Sequence, residues 1–239
     1  MLKNSKIFSN RQRVLRRFNK GMLRVVLLLV ASFLAPNTFS NALGSSSAES
    51  PQLICSAARA QQDPMALIQR GTEMAFKILH DSQTGQAPSL CQRKGEILAV
   101  VSEYFSFEEM ARRSLGRRWK EQPSDKCEEF TRLFRQLLFN TYINRLENYK
   151  GSNEQVSYDY QKLDGDYALV KAHILSQGND NMCIEYRLHR DGEQWRVYDV
   201  AVEGISFVDN YRSQFSSILT NESFDSLLIR LHQKVDESH

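Results

Sequence analysis

Along this chain apolar residues first recur at three and four positions, then at every second position, and then at three and four again. A helix gathers residues i, i+3 and i+4 on one face, whereas a strand gathers i and i+2. The two changes of period therefore dictate helices, then strands, then helices. Asp63–Pro64 offers an N-cap acid and a proline at the first helical position, and Met65, Ile68, Met74, Ala75, Ile78 and Leu79 follow as a helical stripe. A second helix is expected from about Ser89 to Tyr104. Ser106 and Glu109 frame a capping box, each side chain satisfying the other's free amide, and the short helix it opens stops at Gly116. Pro123–Ser124–Asp125 starts the longest helix, which ends near Gly151 and lines up Phe130, Leu133, Phe134, Leu137, Leu138, Thr141, Tyr142 and Leu146.

The period of two begins at Val156, Tyr158 and Tyr160. Leu163 to Asp166 makes a turn into a strand from Tyr167 to Leu175, and a loop through Gly178 to Asn181 leads to a third strand with Met182, Ile184, Tyr186 and Leu188 on one face. Arg190 to Glu193 reads as a hairpin turn. The fourth strand carries Trp195 and Val197, then Val200 and Val202, and the slip of facing near Asp199 predicts a bulge. Helices from about Phe207 to Leu219 and from Ser223 to Val235 close the chain. Asn221–Glu222–Ser223 matches a glycosylation acceptor, but Ser223 serves equally as the N-cap of the last helix. The arrangement is α+β: N-terminal helices, a curved four-stranded antiparallel meander sheet, and C-terminal helices.

Charge separates the two ends of the chain. Residues 1–42 hold eight Lys or Arg and no Asp or Glu, and the remainder has 23 basic against 28 acidic residues, a net of −5. A net negative folded part lacks the electrostatic footprint of a phosphate-backbone binder, so the overall charge of +3 does not point to nucleic acid. The basic stretch precedes an apolar run from Val25 to Ala35, too short to span a bilayer comfortably and right for a signal-peptide core. Residues 1–42 are thus expected to be a signal peptide, with an uncleaved anchor as the competing reading. Residues 43–62 form a flexible lead-in, and 63–237 one domain. Export would put Cys55, Cys91, Cys127 and Cys183 in an oxidising compartment, where at least one pair is expected to join, and Cys183 to stay a thiol buried in a strand. Which pairing forms is open, since four cysteines allow three.

No catalytic motif stands out: there is no G-x-S-x-G elbow, H-E-x-x-H pair, phosphate-cradling glycine loop or dinucleotide fingerprint. Five histidines are scattered, and no Cys or His cluster has zinc-ligand spacing, so neither a metal nor a cofactor is expected. Asp164–Gly165–Asp166 and the His189/Asp191 pair are explained as turn chemistry. Aromatic residues crowd both halves, and pattern leaves open whether they fill a core or enclose a cavity between sheet and helices.

Four ordered segments carry a resemblance. They are Tyr104–Phe105–Ser106–Phe107–Glu108–Glu109–Met110–Ala111 leading to Leu115–Gly116–Arg117–Arg118–Trp119, Phe134–Arg135 through Thr141–Tyr142, Trp195 to Ser206 running into Asn210–Tyr211–Arg212–Ser213–Gln214–Phe215, and Phe224–Asp225 with Leu227–Leu228. With them the chain resembles the MlaC family of phospholipid-transport substrate-binding proteins, from about Met65 to Leu231. It departs from the family at Ser106, where Asp is usual, at Cys127, near a usual Gln, and in a short loop at Gly178 to Asn181.

The resemblance implies a fold related to nuclear-transport-factor-2-like sheets, enclosing an apolar lipid pocket. It implies no enzyme but a periplasmic carrier that holds the acyl chains of a glycerophospholipid. Such a carrier passes its lipid between an outer-membrane lipoprotein complex and an inner-membrane ABC transporter, maintaining outer-membrane lipid asymmetry. Two chains of about sixteen carbons amount to roughly 25 kcal/mol of transfer free energy, which a carrier must match without greatly exceeding. Trp119 and Tyr142 match pocket aromatics of the family, with Ile184, Val200, Val202 and Ile205 as lining from the sheet side. Arg117, Arg118 and Arg212 are candidates for a head group or partner, beside the plainer reading of solvated surface arginines. A monomer is expected, because a shuttle diffuses alone and no heptad seam is present. Three readings compete: a carrier of hopanoid or another lipid, a non-carrier periplasmic interaction module, and an enzyme with an acid–base pair around Tyr186, His189 or Asp199.

Overall fold

The computed structural model describes residues 63–80, 90–143, 155–175 and 182–237. Helix α1 (Pro64–His80) starts where Asp63 Oδ1 accepts the Met65 amide at 3.1 Å, as the Asp–Pro pair predicts. Helix α2 (Leu90–Tyr104) packs against it, so closely that the Tyr104 ring lies over Gly71, where a Cβ would come within 2.9 Å of Cδ1. Helix α3 (Phe107–Leu115) is followed by a 3₁₀ helix (Gly116–Glu121) and then by α4 (Ser124–Ile143). The expected continuation of α4 to Gly151, the loop at Gly178 to Asn181 and the leader lie outside the described residues. Among those described, no helix is long and apolar enough to cross a membrane.

The capping box at α3 forms by half. Ser106 Oγ accepts the Glu109 amide at 3.4 Å, but the Ser106 amide donates to the Val197 carbonyl at 2.9 Å. Glu109 is thereby released to bind Arg112 Nε and Nη2 at 2.7 and 2.6 Å and Arg113 Nε at 2.6 Å. Burial alone would push the Glu109 carboxyl up, yet hydrogen bonds from the two arginines outweigh it and hold its pKa below the ordinary 4.5.

Strands β1 (Gln155–Asp164), β2 (Tyr167–Leu175), β3 (Met182–Asp191), β4 (Gln194–Val202) and β5 (Ile205–Ser206) form one antiparallel sheet in sequence order. The fifth strand adds to the four that alternation predicts; at two residues it is too short to show a period. It pairs Val202 with Ile205 across a tight turn in which Glu203 and Gly204 both have positive φ, 50° and 76°. That combination is the two-residue hairpin whose twist suits the flanking strands. The bulge expected near Asp199 is present: Arg187 faces Asp199 while Leu188 faces Val197, leaving Tyr198 as the extra residue.

The inner face of the sheet alternates as its pattern requires, with Val170, Ala172, Ile184, Leu188 and Val197 at 1% exposure or less. Helices α3, α4, α5 (Phe207–Leu219) and α6 (Phe224–Asp236) contribute to the same core. An aromatic cluster joins three of these helices: Phe134 lies 5.0 Å from Tyr211, and Phe130 5.3 Å from Phe215 and 5.9 Å from Phe224, in edge-on or tilted arrangements. Between α4 and α6 run a Glu129–His232 contact at 2.8 Å and a Lys126–Asp225 ion pair. Ser223 caps α6, its Oγ accepting the Ser226 amide at 3.1 Å.

Asp199 is the most deeply buried carboxylate among the described residues, at 2% exposure against 8% for Glu109. Its Oδ1 accepts the Val208 amide at 3.0 Å, and its Oδ2 accepts the Ser206 hydroxyl at 2.6 Å and Arg187 Nη1 at 2.9 Å. Ser206 Oγ in turn accepts the Asp209 amide at 3.0 Å. One residue beside the bulge thus fastens β3, β5 and the start of α5, using the free amides that every helix N-terminus offers.

Candidate functional site

Helix α4 has two working faces. Phe130, Leu133, Phe134, Leu137 and Leu138 turn inward to the core. Glu128, Thr131, Arg132, Arg135 and Phe139, spaced at three and four along the same helix, turn toward a groove of about 550 Å³. Its apolar lining comes from four elements: Leu98 on α2, Phe107 on α3, Trp119 on the 3₁₀ helix and Phe139 on α4. The size falls within the roughly 300–1,000 Å³ of small-molecule pockets.

Local chemistry holds this lining in place. The Gln122 amide donates to the Trp119 carbonyl at 3.3 Å and the Cys127 thiol lies 3.6 Å from the same oxygen, so the turn bearing Trp119 is tied to the first turn of α4. Burial pushes the Cys127 thiol up from its ordinary value. Cys127 and Cys183 are free thiols, Cys183 half-buried in β3 as a strand residue; Cys55 and the side chain of Cys91 lie outside the described residues. The Arg135 guanidinium sits 5.6 Å from the Phe107 ring centroid, a cation over an aromatic face at the groove wall. Arg132 Nη1 donates to Gln136 Oε1 at 3.1 Å.

The residues singled out by the sequence fall into three places. Trp119 lines the groove. Ile184, Val200 and Val202 are buried in the packed core between sheet and helices, and Ile205 is exposed in β5. The side chain of Tyr142, in the last turn of α4, lies outside the described residues. Among the arginines, Arg118 pairs with Glu121 at 3.0 Å and Arg212 with Asp209 at 3.1 Å, while Arg212 Nε also donates to the Arg113 carbonyl at 2.8 Å. Arg117 is exposed.

Tyr186, His189 and Asp199 belong to different surroundings. Tyr186 is on the inner sheet face, where burial drives its phenol well above 10.0, and burial likewise pushes neighbouring Tyr158 up to about 12. The His189 ring leans on Tyr198, centroids 6.0 Å apart, and Asp199 is committed to the network above. None of these residues lines the groove. Among the described residues no group of three or more His, Cys, Asp or Glu could hold a metal ion.

Sequence reasoning passed over Phe139, Arg132 and Arg135 as groove residues. The signal was present: Phe139 is an aromatic one position off the apolar stripe of α4, and it continues the Glu128–Arg132–Arg135 spacing. A large apolar residue outside the core stripe points to a second contact surface.

Three comparisons bear on this geometry. A family model described as MlaC protein matches residues 69–233, a span that includes every apolar residue of the groove. The intermembrane phospholipid transport system binding protein MlaC of Haemophilus influenzae is 22% identical over 192 residues, covering 77% of this chain and 88% of that protein. Among solved structures, the phospholipid-binding protein from Ralstonia solanacearum, in complex with a phospholipid, shares the fold at a TM-score of 0.63 and 20% identity. That likeness covers 74% of this chain and 98% of the Ralstonia chain.

Proposed function

The chain belongs to the MlaC family, and from that premise we propose that it is a periplasmic lipid carrier whose groove beside α4 takes up the acyl part of a glycerophospholipid. The observation that carries this reading is the groove itself, whose lining brings Leu98, Phe107, Trp119 and Phe139 from four elements to one recess. Burial of methylenes at about 0.8 kcal/mol each drives uptake without chemistry. In this reading Trp119 is the first aromatic that a chain meets. Tyr142 and the inner-face residues Ile184, Val200 and Val202 become further contacts when the helices part from the sheet, with Ile205 at the rim of that opening. Residues 1–42 direct export, 43–62 form the lead-in, and the domain of 63–237 shuttles as a monomer between an outer-membrane lipoprotein complex and an inner-membrane ABC transporter. The relatives' names and the phospholipid in the Ralstonia complex support lipid as cargo. The apolar layer that the described residues bury between sheet and helices is equally what a cargo-free interaction module would have, so the occupancy of the groove separates the two.

Native mass spectrometry of the mature protein, purified from the periplasm without detergent and followed by lipid extraction, tests this. A bound glycerophospholipid is expected, and is expected to be lost in a Trp119→Glu variant that keeps its circular dichroism spectrum. Hopanoid in its place would overturn the choice of cargo. A protein that is always empty and takes nothing from vesicles would overturn carriage altogether.

A further inference from the structure

The groove is not lined by apolar groups alone. Two cations, Arg132 and Arg135, and two carboxylates, Glu108 and Glu128, stand around its wall, so its ionic lining sums to zero. Among the described residues neither arginine has a carboxylate within ion-pair distance: Arg132 meets the Gln136 amide oxygen, and Arg135 the Phe107 ring. Neither glutamate meets a cation there, the contact of Glu128 being the Ser124 hydroxyl at 3.4 Å. Other charges of this surface are paired, as in Arg118 with Glu121, Arg212 with Asp209 and Arg230 with Glu222. Four groups of balanced sign, left without ionic partners around one apolar recess, are complementary to a ligand that carries both signs close together.

Resting on the carrier reading, we propose that this groove selects a zwitterionic lipid head group, a phosphodiester bearing a primary amine. Its phosphate is held by Arg132 and Arg135, and its ammonium by Glu108 and Glu128. Guanidinium suits phosphate because its planar fork of donors matches the oxygen geometry, and a primary ammonium offers a carboxylate three donors. An anionic head group with no amine would leave both glutamates facing like charge.

The test loads the delipidated mature protein from vesicles holding equal phosphatidylethanolamine and phosphatidylglycerol with matched acyl chains, then quantifies the extracted lipid. Wild-type protein is expected to enrich the ethanolamine lipid about threefold, the scale of a partly exposed ion pair. In a Glu108→Gln/Glu128→Gln variant the ratio is expected to fall to the vesicle's own or to reverse, because only cations remain. A wild-type ratio equal to that of the vesicle, or a variant that keeps the wild-type ratio while folded by circular dichroism, would overturn the proposal and leave carriage standing. No uptake of either lipid would overturn both.

Discussion

The single residue on which most of the strand-to-helix junction depends is Asp199. Its carboxylate accepts from the Val208 amide, the Ser206 hydroxyl and Arg187 at 3.0, 2.6 and 2.9 Å while only 2% exposed. Each of those donors would be stranded by its loss, and a stranded buried donor costs more than a hydrogen bond is worth on balance. Asp199→Asn presents an amide donor where donors already converge. It is expected to destabilise the fold by about 2–4 kcal/mol, measured as the shift of the urea unfolding midpoint. Ser206→Ala should cost about 1 kcal/mol, the worth of an N-cap, and the double variant less than the sum of the two, since both act in one network. A loss below about 0.5 kcal/mol for Asp199→Asn would sink this account. In the sequence Asp199 shows only as a break in alternation: the bulge is legible there, but the partners of the carboxylate lie seven to twelve residues away and follow from three-dimensional closure.

Among the elements, the α1–α2 pair offers two helical glycines with opposite surroundings. Gly71 has the Tyr104 ring pressed on its Cα, with a Cβ position 2.9 Å from Cδ1, and Tyr104 is itself buried. Gly95 has nothing within 4 Å of its Cβ position. Alanine at 95 removes backbone freedom from the unfolded chain and improves helix propensity, so Gly95→Ala is expected to stabilise by about 0.5–1 kcal/mol. Alanine at 71 gains the same propensity but forces the two helices apart, an overpacking cost of about 1–3 kcal/mol, so Gly71→Ala is expected to be destabilising. Thermal melts of the two variants check the signs, and equal shifts in one direction would show that α1 and α2 do not meet through Gly71. Periodicity locates both helices within a residue or so at their described ends. It does not distinguish these glycines, because close approach depends on which residue of another helix arrives opposite.

For the molecule as a whole, the order of elements, the meander, the bulge and the two closing helices are all legible in period and turn chemistry. The return from β4 is not, because β5 has two residues and takes its pairing from the Glu203–Gly204 turn. The groove is legible only in part, since Trp119 comes from resemblance, whereas Arg132, Arg135 and Phe139 sit on the face of α4 that a core-seeking pattern assigns to solvent. At the layer between sheet and helices stand two neighbouring phenols, Tyr186 buried and Tyr158 half-buried against the core. Burial pushes Tyr158 up to about 12 and Tyr186 well above 10.0. A raised acid pKa in the folded state means the unfolded chain releases its proton first as pH rises. Their contribution to stability is therefore complete below pH 10 and is lost as pH climbs through the folded values. The phenols' share of the urea midpoint is expected to hold to about pH 9.5 and then to fall, each phenol adding up to about 1.4 kcal/mol per pH unit. That fall comes on top of the earlier one that the raised thiols of Cys127 and Cys183 contribute. Tyr158→Phe removes its part of that slope up to about pH 12, where Tyr158 itself titrates, and Tyr186→Phe removes the part that the raised Tyr186 phenol contributes above pH 10. If both variants kept the wild-type slope, the loss in alkali would have to originate in other groups, such as Tyr104 and Tyr198, whose phenols burial also raises, and Tyr158 and Tyr186 would not be sealed within the layer that closes the fold.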